Sequence, residues 1–140
     1  MKRNYFKEML MVFVSAWFVL SSSCSKDDQV NNSGTNVYYV IEGVYDARPD
    51  QPIPEGQVEV IASMTMPNGS VSQGNVLTPY ISSTREYPAG MTLIVYAESV
   101  LSYTTITVKI YKNDVLWKID TASATGYGNY AVATVSGTLE

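Results

Sequence analysis

Apolar and polar residues alternate with a period of two through most of the chain after residue 37. In segment 105–111, Ile106, Val108 and Ile110 alternate with threonine, lysine and tyrosine, and segment 58–64 repeats the pattern. Successive side chains of a strand point to opposite faces of a sheet, so this alternation predicts strands with one buried face. No window of helical length has apolar residues at i, i+3, i+4 and i+7. The sequence therefore predicts an all-β fold.

Turn signals divide the alternating segments into short strands. Asn113 and Asp114 both tolerate a positive φ and predict a two-residue hairpin turn. Val71–Thr78 is a weaker strand that we expect at a sheet edge, and Gly43 predicts a bulge or a point of close packing. Turn signals recur about every 8–12 residues, which is typical of a sandwich of about seven strands. We therefore expect an immunoglobulin-like antiparallel β-sandwich over residues 37–140, with a small closed barrel as the alternative.

The first 23 residues have the form of a secretory signal. A positive start with Lys2, Arg3 and Lys7 precedes an apolar run of 12 residues, Met9–Leu20. A transmembrane helix needs roughly 20 apolar residues, and small residues follow this run at once. We predict that residues 1–23 are a cleaved signal peptide, and an uncleaved anchor helix is the alternative.

Cys24, the single cysteine of the chain, follows the small residues directly. A lone cysteine of an exported protein has no partner for an internal disulfide. The run Leu20-Ser21-Ser22-Ser23-Cys24 resembles the lipobox of bacterial lipoproteins. Residues 25–28, Ser-Lys-Asp-Asp, resemble the export signal of Bacteroidetes-type lipoproteins, although a solvated charged linker also has this form. The resemblance implies lipid on Cys24 and attachment to a membrane of the cell envelope, most simply the outer membrane, at its periplasmic face or at the cell surface. The polar residues 24–36 are then a flexible tether.

The residue types that carry most enzyme chemistry are missing. The chain has no histidine, which removes Ser-His-Asp and Cys-His sites and imidazole metal ligands. Lys109, Lys112 and Lys118 lie at positions that we expect to face outward or to lie in turns. Asp46 and Asp50 share a proline-containing loop, where turn formation is favoured and calcium binding through oxygens is the alternative. We expect no enzyme, no cofactor and no metal site.

Charge and aromatic residues indicate the kind of partner. Removal of residues 1–23 leaves 6 basic and 12 acidic residues, a net charge of −6, so we expect no nucleic-acid partner. Tyr111, Trp117, Tyr127 and Tyr130 lie close together in sequence around the last hairpin. Tyrosine and tryptophan combine contact area with a polar tip, so these four residues are a candidate ligand surface. The alternative is that tyrosines simply suit strands and cover the ends of the core.

Five segments of the folded part, taken in order, carry a family resemblance: Tyr39–Gly43, Val58–Val60, Glu86–Met91, Ile106–Asp114 and Tyr130–Gly137. Together they resemble the MmpS family of small membrane-attached β-sandwich proteins. The closing segments of that family have the form I-T-x-x-I-x-x-D-G followed by Y-A-x-A-x-x-S-G, to which the last two segments here are similar.

Known members of the MmpS family are accessory partners of RND-type transporters in lipid and siderophore export. They have a transmembrane anchor, where this chain has Cys24, and a cysteine pair that this chain lacks. The resemblance implies a non-enzymatic binding or accessory protein with an envelope transporter as its partner. A surface module that binds glycans or peptides is the alternative.

Overall fold

The protein is an antiparallel β-sandwich. The computed structural model describes residues 34–50 and 52–140, and all regular structure in these residues is β-strand. A five-stranded sheet has the order β4–β1–β7–β8, with β5 also paired to β1, and a four-stranded sheet has the order β3–β2–β6–β9. The predicted all-β sandwich is thus confirmed. The strands are β1 Thr35–Tyr45, β2 Glu59–Thr65, β3 Val71–Leu77, β4 Tyr80–Ile81, β5 Arg85–Tyr87, β6 Thr92–Ser99, β7 Thr104–Lys112, β8 Val115–Ala124 and β9 Val132–Thr138.

The described part of the chain has nine strands where about seven were expected. The difference comes from β4 and β5, which have two and three residues and pair with different parts of β1. Segments this short carry no alternation to detect. β1 begins at Thr35, two residues before the expected start of the domain at residue 37. β1 pairs with β7 and not with β2. The strand order therefore differs from that of a constant-type immunoglobulin domain, in which the first two strands are neighbours.

The core lies between the sheets and consists of the inward side chains that the alternation predicts. β3 is an edge strand, as its weak pattern indicates, and its residues are nearly all exposed. The central strands β1, β2, β6 and β7 supply most of the core. The fully buried aliphatic residues on these four strands are Val37, Ile41, Val60, Ala62, Leu93, Val95, Ala97, Ile106, Val108 and Ile110.

The turn and the close contact predicted from sequence are both present. Asn113 and Asp114 have φ of 50° and 63° and join β7 to β8 through the expected two-residue turn. A Cβ atom on Gly43 would lie 2.8 Å from Thr78 Oγ1 and 2.9 Å from Val58 Cβ. Gly43 therefore packs closely against Val58, just before β2, and against Thr78, just after β3.

Two tyrosine hydroxyls join the sheets through one carbonyl group. Tyr39 on β1 and Tyr87 on β5 donate hydrogen bonds of 2.8 and 2.9 Å to the carbonyl oxygen of Thr65 on β2. The Thr65 hydroxyl meanwhile accepts from the Ile94 N–H (3.0 Å) and donates to the Ile94 carbonyl (3.4 Å). The Thr65 side chain thus takes the place of the backbone in pairing with β6. The buried backbone carbonyl of Thr65 can therefore accept the hydrogen bonds from the two tyrosine hydroxyls.

The two sides of the sandwich are closed to different degrees. Along β8 and β9, Asp120 Oδ2 accepts a hydrogen bond of 2.9 Å from the Thr134 N–H. The Trp117 ring lies over Gly137, where a Cβ atom would come within 2.5 Å of the ring. These side chains close the β8–β9 side. On the opposite side, β3 faces β4 and β5 across a small cleft.

The predicted signal peptide, Cys24 and residues 24–33 of the predicted tether lie outside the described residues. Within residues 34–50 and 52–140, no helix is long and apolar enough to cross a membrane.

Candidate functional site

The outward surface of the five-stranded sheet brings Tyr111 together with residues from three strands. Tyr38 on β1 pairs with Tyr111 on β7, which pairs with Leu116 on β8. The two tyrosine rings are stacked, with centroids 4.7 Å apart and planes 4° from parallel. Because side chains opposite each other on neighbouring strands lie side by side, the three residues form one row across the sheet.

A second row runs parallel to the first. Ile81 on β4 pairs with Val40, Val40 with Lys109, and Lys109 with Ile119 on β8. Ile81, Leu116 and Ile119 are 67%, 44% and 52% exposed, while Val40 is buried beneath its neighbours. We call these residues the apolar half of the outer face; its members are Tyr38, Val40, Ile81, Tyr111, Leu116 and Ile119.

The rest of the same face is polar except for Val44, which pairs with Thr105 and is 58% exposed. Thr107 and Thr121 hydrogen-bond to each other at 2.9 Å, and Thr105 and Ser123 do so at 2.6 Å. We call these four residues the hydroxyl half. The boundary between the two halves holds the ion pair between Lys109 Nζ and Glu42 Oε2, 2.7 Å apart. Lys109 faces outward, as its place in the alternation predicts.

Trp117 does not lie on the outer face with Tyr111. Ile110 pairs with Lys118 and Tyr111 pairs with Leu116, so Trp117 is an extra residue at a bulge in β8. Its ring packs partly against the core beside β9. Lys112 Nζ and Lys118 Nζ lie 5.8 and 5.4 Å from the ring centroid. Trp117 therefore closes a side of the sandwich and offers little of its ring faces to a ligand.

Tyr127 and Tyr130 lie at the opposite end of β8. The part of β8 between Trp117 and Ala124 is about 23 Å long at roughly 3.3 Å per residue. Tyr127 packs edge to face on Tyr103, with centroids 5.1 Å apart, and donates a 2.7 Å hydrogen bond to Asp50 Oδ1. This bond raises the pKa of the Tyr127 hydroxyl. Tyr130 is half exposed in the following loop. The four predicted residues thus occupy three places, and Tyr111 alone lies on the outer face.

Four residues of the apolar half were not predicted from the sequence: Tyr38, Ile81, Leu116 and Ile119. Tyr38 and Tyr111 are far apart in sequence, and their stacking depends on the pairing of β1 with β7. Simple alternation in β8 places Trp117 and Ile119 on one face, but the bulge instead aligns Leu116 with Ile119. The sequence does carry one signal for this surface. Four of the five residues 115–119 are apolar, and a strand with one face in water rarely has so many.

The two carboxylates of the loop after β1, Asp46 and Asp50, each accept a hydrogen bond from a hydroxyl group. Asp46 Oδ2 accepts a 2.8 Å hydrogen bond from the Thr105 hydroxyl, and Asp50 accepts from Tyr127. Among residues 34–50 and 52–140, no group of three or more acidic, histidine or cysteine side chains is placed to hold a metal ion. Both carboxylates thus accept hydrogen bonds from hydroxyl groups of distant parts of the chain.

Fold and surface define a small antiparallel β-sandwich domain whose five-stranded sheet exposes an apolar half and a hydroxyl half. Comparison of the chain with protein-family models, with curated proteins and with solved structures found no match in any of the three.

Proposed function

We propose that this protein is a non-enzymatic, lipid-anchored protein of the cell envelope whose β-sandwich binds an envelope transporter through the apolar half of its outer face. Lipid on Cys24 holds the domain at the outer membrane, and the residues before β1 give it reach. The observation that carries the proposal is the outward row of Tyr38, Tyr111 and Leu116 beside Ile119. Leu116 and Ile119 are exposed, and both tyrosines are partly buried.

The apolar half has the properties of a protein-binding surface. Contiguous exposed apolar side chains on a soluble domain mark interaction sites. Tyr38 and Tyr111 provide large contact area, and their parallel stacking fixes both rings before a partner arrives. The Lys109–Glu42 ion pair supplies a polar rim at one boundary. These features support binding of a flat apolar surface of another protein.

The resemblance to MmpS proteins supports the transporter as that partner. Its segments include β7 with the following turn and the closing strand β9, and members of that family act beside RND-type transporters. Under the proposal, a lipid anchor replaces the transmembrane anchor of those proteins. The sandwich then meets the transporter outside the lipid bilayer.

A glycan is the second candidate. The observation that favours it is the hydroxyl half, whose four hydroxyl groups lie on the same face as the stacked rings of Tyr38 and Tyr111. The row of Val40, Lys109 and Ile119 separates the hydroxyl groups from the rings. Sugar recognition commonly combines aromatic contact with hydrogen bonds from side chains of this kind.

The test is co-purification from native membranes with a matched pair of variants on β8. The full-length tagged protein is compared with Leu116→Lys/Ile119→Lys in the apolar half and with Thr121→Lys/Ser123→Lys in the hydroxyl half. Both pairs face outward on the same strand and add the same charge. We expect the apolar-half variant to lose an integral transporter by about tenfold or more, because burying unpaired ammonium groups at an interface is costly. The hydroxyl-half variant should retain it.

The anchor is tested in the same preparation. We expect the mature wild-type protein to begin at Cys24 and to carry acyl chains by intact mass, and Cys24→Ala to leave the membrane fraction. Transporter recovery that is equal for both β8 variants would contradict binding through the apolar half. Loss of recovery in the hydroxyl-half variant, with binding of the purified protein to polysaccharide, would replace the proposal with the glycan candidate.

A further inference from the structure

The side of the sandwich opposite β8 and β9 has an unpaired strand edge. β3 pairs with β2 alone, and its seven residues contain neither proline nor a charged side chain. The Thr78 N–H bonds to the Val58 carbonyl and the Met66 N–H to the Ser70 carbonyl, at 2.9 and 2.8 Å.

The β2–β3 register continues this pairing, so every second residue of β3 directs its backbone groups away from β2. The residues with free backbone groups are Val71, Gln73, Asn75 and Leu77. Natural edge strands usually block such groups with lysine, proline or a covering segment.

A cleft of about 70 Å³ opens beside this edge, between β3 and the short strands β4 and β5. The inward positions of β3 explain it, because Ser72 lines the cleft and Gly74 has open space where a Cβ atom would stand. The rings of Tyr39 and Tyr87 lie at its base with their hydroxyls already bound to Thr65. A cleft of this size suits the end of one side chain.

Arg85 places a positive charge at this cleft. Its Nε donates a 3.2 Å hydrogen bond to Ser83 Oγ, and its Nη1 contacts Met66 Sδ at 3.9 Å. Among residues 34–50 and 52–140, Arg85 forms no ion pair with a carboxylate within 4.0 Å. A guanidinium carries five N–H donors in a planar arrangement that matches a carboxylate.

We propose that this open side of the sandwich binds an extended acidic peptide as an additional strand. The peptide pairs with the free backbone groups of Gln73 and Asn75, and every second side chain of it points toward the cleft. One of these side chains is a carboxylate that binds the Arg85 guanidinium, and its neighbours are apolar and contact the cleft. Strand addition supplies the affinity through main-chain hydrogen bonds, and the cleft selects the side chains. This site is separate from the outer face of the five-stranded sheet, which lies on a different surface.

The experiment uses the full-length protein in detergent and the labelled synthetic peptide TVTETVT, whose central glutamate is flanked by inward valines. Gln73→Pro removes one N–H at the free edge and leaves the β2 ladder intact, because an edge position tolerates proline. Gln73→Ala is its matched control. Arg85→Gln removes the charge in the cleft, and Lys118→Gln removes one at the closed side.

We expect the peptide to bind the wild type and to protect the amides of Gln73 and Asn75 from hydrogen exchange. Gln73→Pro should abolish binding, and Gln73→Ala should preserve it. Arg85→Gln should weaken binding about tenfold, as should glutamine in place of the peptide glutamate.

Three results would overturn the proposal. The first is no binding by the wild type. The second is equal weakening by Arg85→Gln and Lys118→Gln, which would show attraction to charge in general. The third is binding that survives Gln73→Pro in a folded protein. If that variant fails to fold, the protection of β3 amides and the Arg85→Gln comparison still decide the question.

Discussion

Replacing Tyr39 and Tyr87 by phenylalanine, singly and together, measures the hydrogen bonds that join the two sheets. Both hydroxyls donate to the carbonyl of Thr65, which is buried and whose side chain occupies the place of the backbone beside Ile94. Each single change leaves that carbonyl one partner, so we expect each to lower the free energy of unfolding by about 1 kcal/mol.

The double variant should cost more than the sum of the two. It leaves the Thr65 carbonyl without either tyrosine, and an unsatisfied buried acceptor costs a further 1–3 kcal/mol or so. We therefore expect a loss of about 3–5 kcal/mol, with a coupling energy of about 1 kcal/mol or more between the two sites.

Urea denaturation of the wild type, the two single variants and the double variant gives this coupling directly. Tyr96→Phe is the matched control, because its hydroxyl donates to Glu98 at 2.6 Å on a half-buried face of the four-stranded sheet. That control should cost less than either core variant. A double variant whose cost equals the sum of the single costs would refute the reasoning, since the carbonyl would then have another partner.

Two further predictions concern pH and the hairpin turn. Burial, together with the neighbouring Tyr87 hydroxyl, raises the pKa of Tyr39 well above its ordinary 10.0. The stability that neutral Tyr39 confers is complete below pH 10 and falls above it, by up to about 1.4 kcal/mol per pH unit, because the unfolded chain releases its proton first. Urea denaturation at pH 8, 10 and 11 should show a smaller loss for Tyr39→Phe than for the wild type, and equal losses would contradict this. Asp114→Gly should raise the free energy of unfolding by about 0.5 kcal/mol, since Asp114 has a φ of 63°. Asp114→Ala should lower it, and a less stable glycine variant would count against the turn geometry.

The sequence predicts the strands of this fold well wherever one face is buried. The inward residues of β6 and β7, such as Leu93, Val95, Ile106 and Val108, follow the alternation without exception. The two-residue turn at Asn113 and Asp114 also follows from residue type alone. β4 and β5 were not predicted, because two or three residues on a sheet edge are held by pairing with β1 and have no periodicity of their own.

The candidate surface was predicted less well, for two physical reasons. Tyr111 was identified by residue type, but its partner Tyr38 is brought beside it by long-range pairing that local patterns do not encode. The bulge at Trp117 shifts the alternation of β8 by one residue, so Leu116 and Ile119 share the outer face while Trp117 turns away. Tyr127 is close to Trp117 in sequence and far from it in space, because a strand separates them.

The difference between the two sides of the sandwich limits what the domain can assemble into. The Asp120 carboxylate accepts a hydrogen bond from a backbone N–H of β9, and Trp117 covers Gly137, so part of the β9 edge is not available to an incoming strand. β3 is an edge strand of seven residues that pairs with β2 alone and lies at the end of the four-stranded sheet away from β9. A second chain that pairs with β3 would extend the four-stranded sheet at the end opposite β9. Strand-mediated assembly of this domain should therefore involve the β3 edge in preference to the β9 edge, where Asp120 and Trp117 occupy part of the backbone.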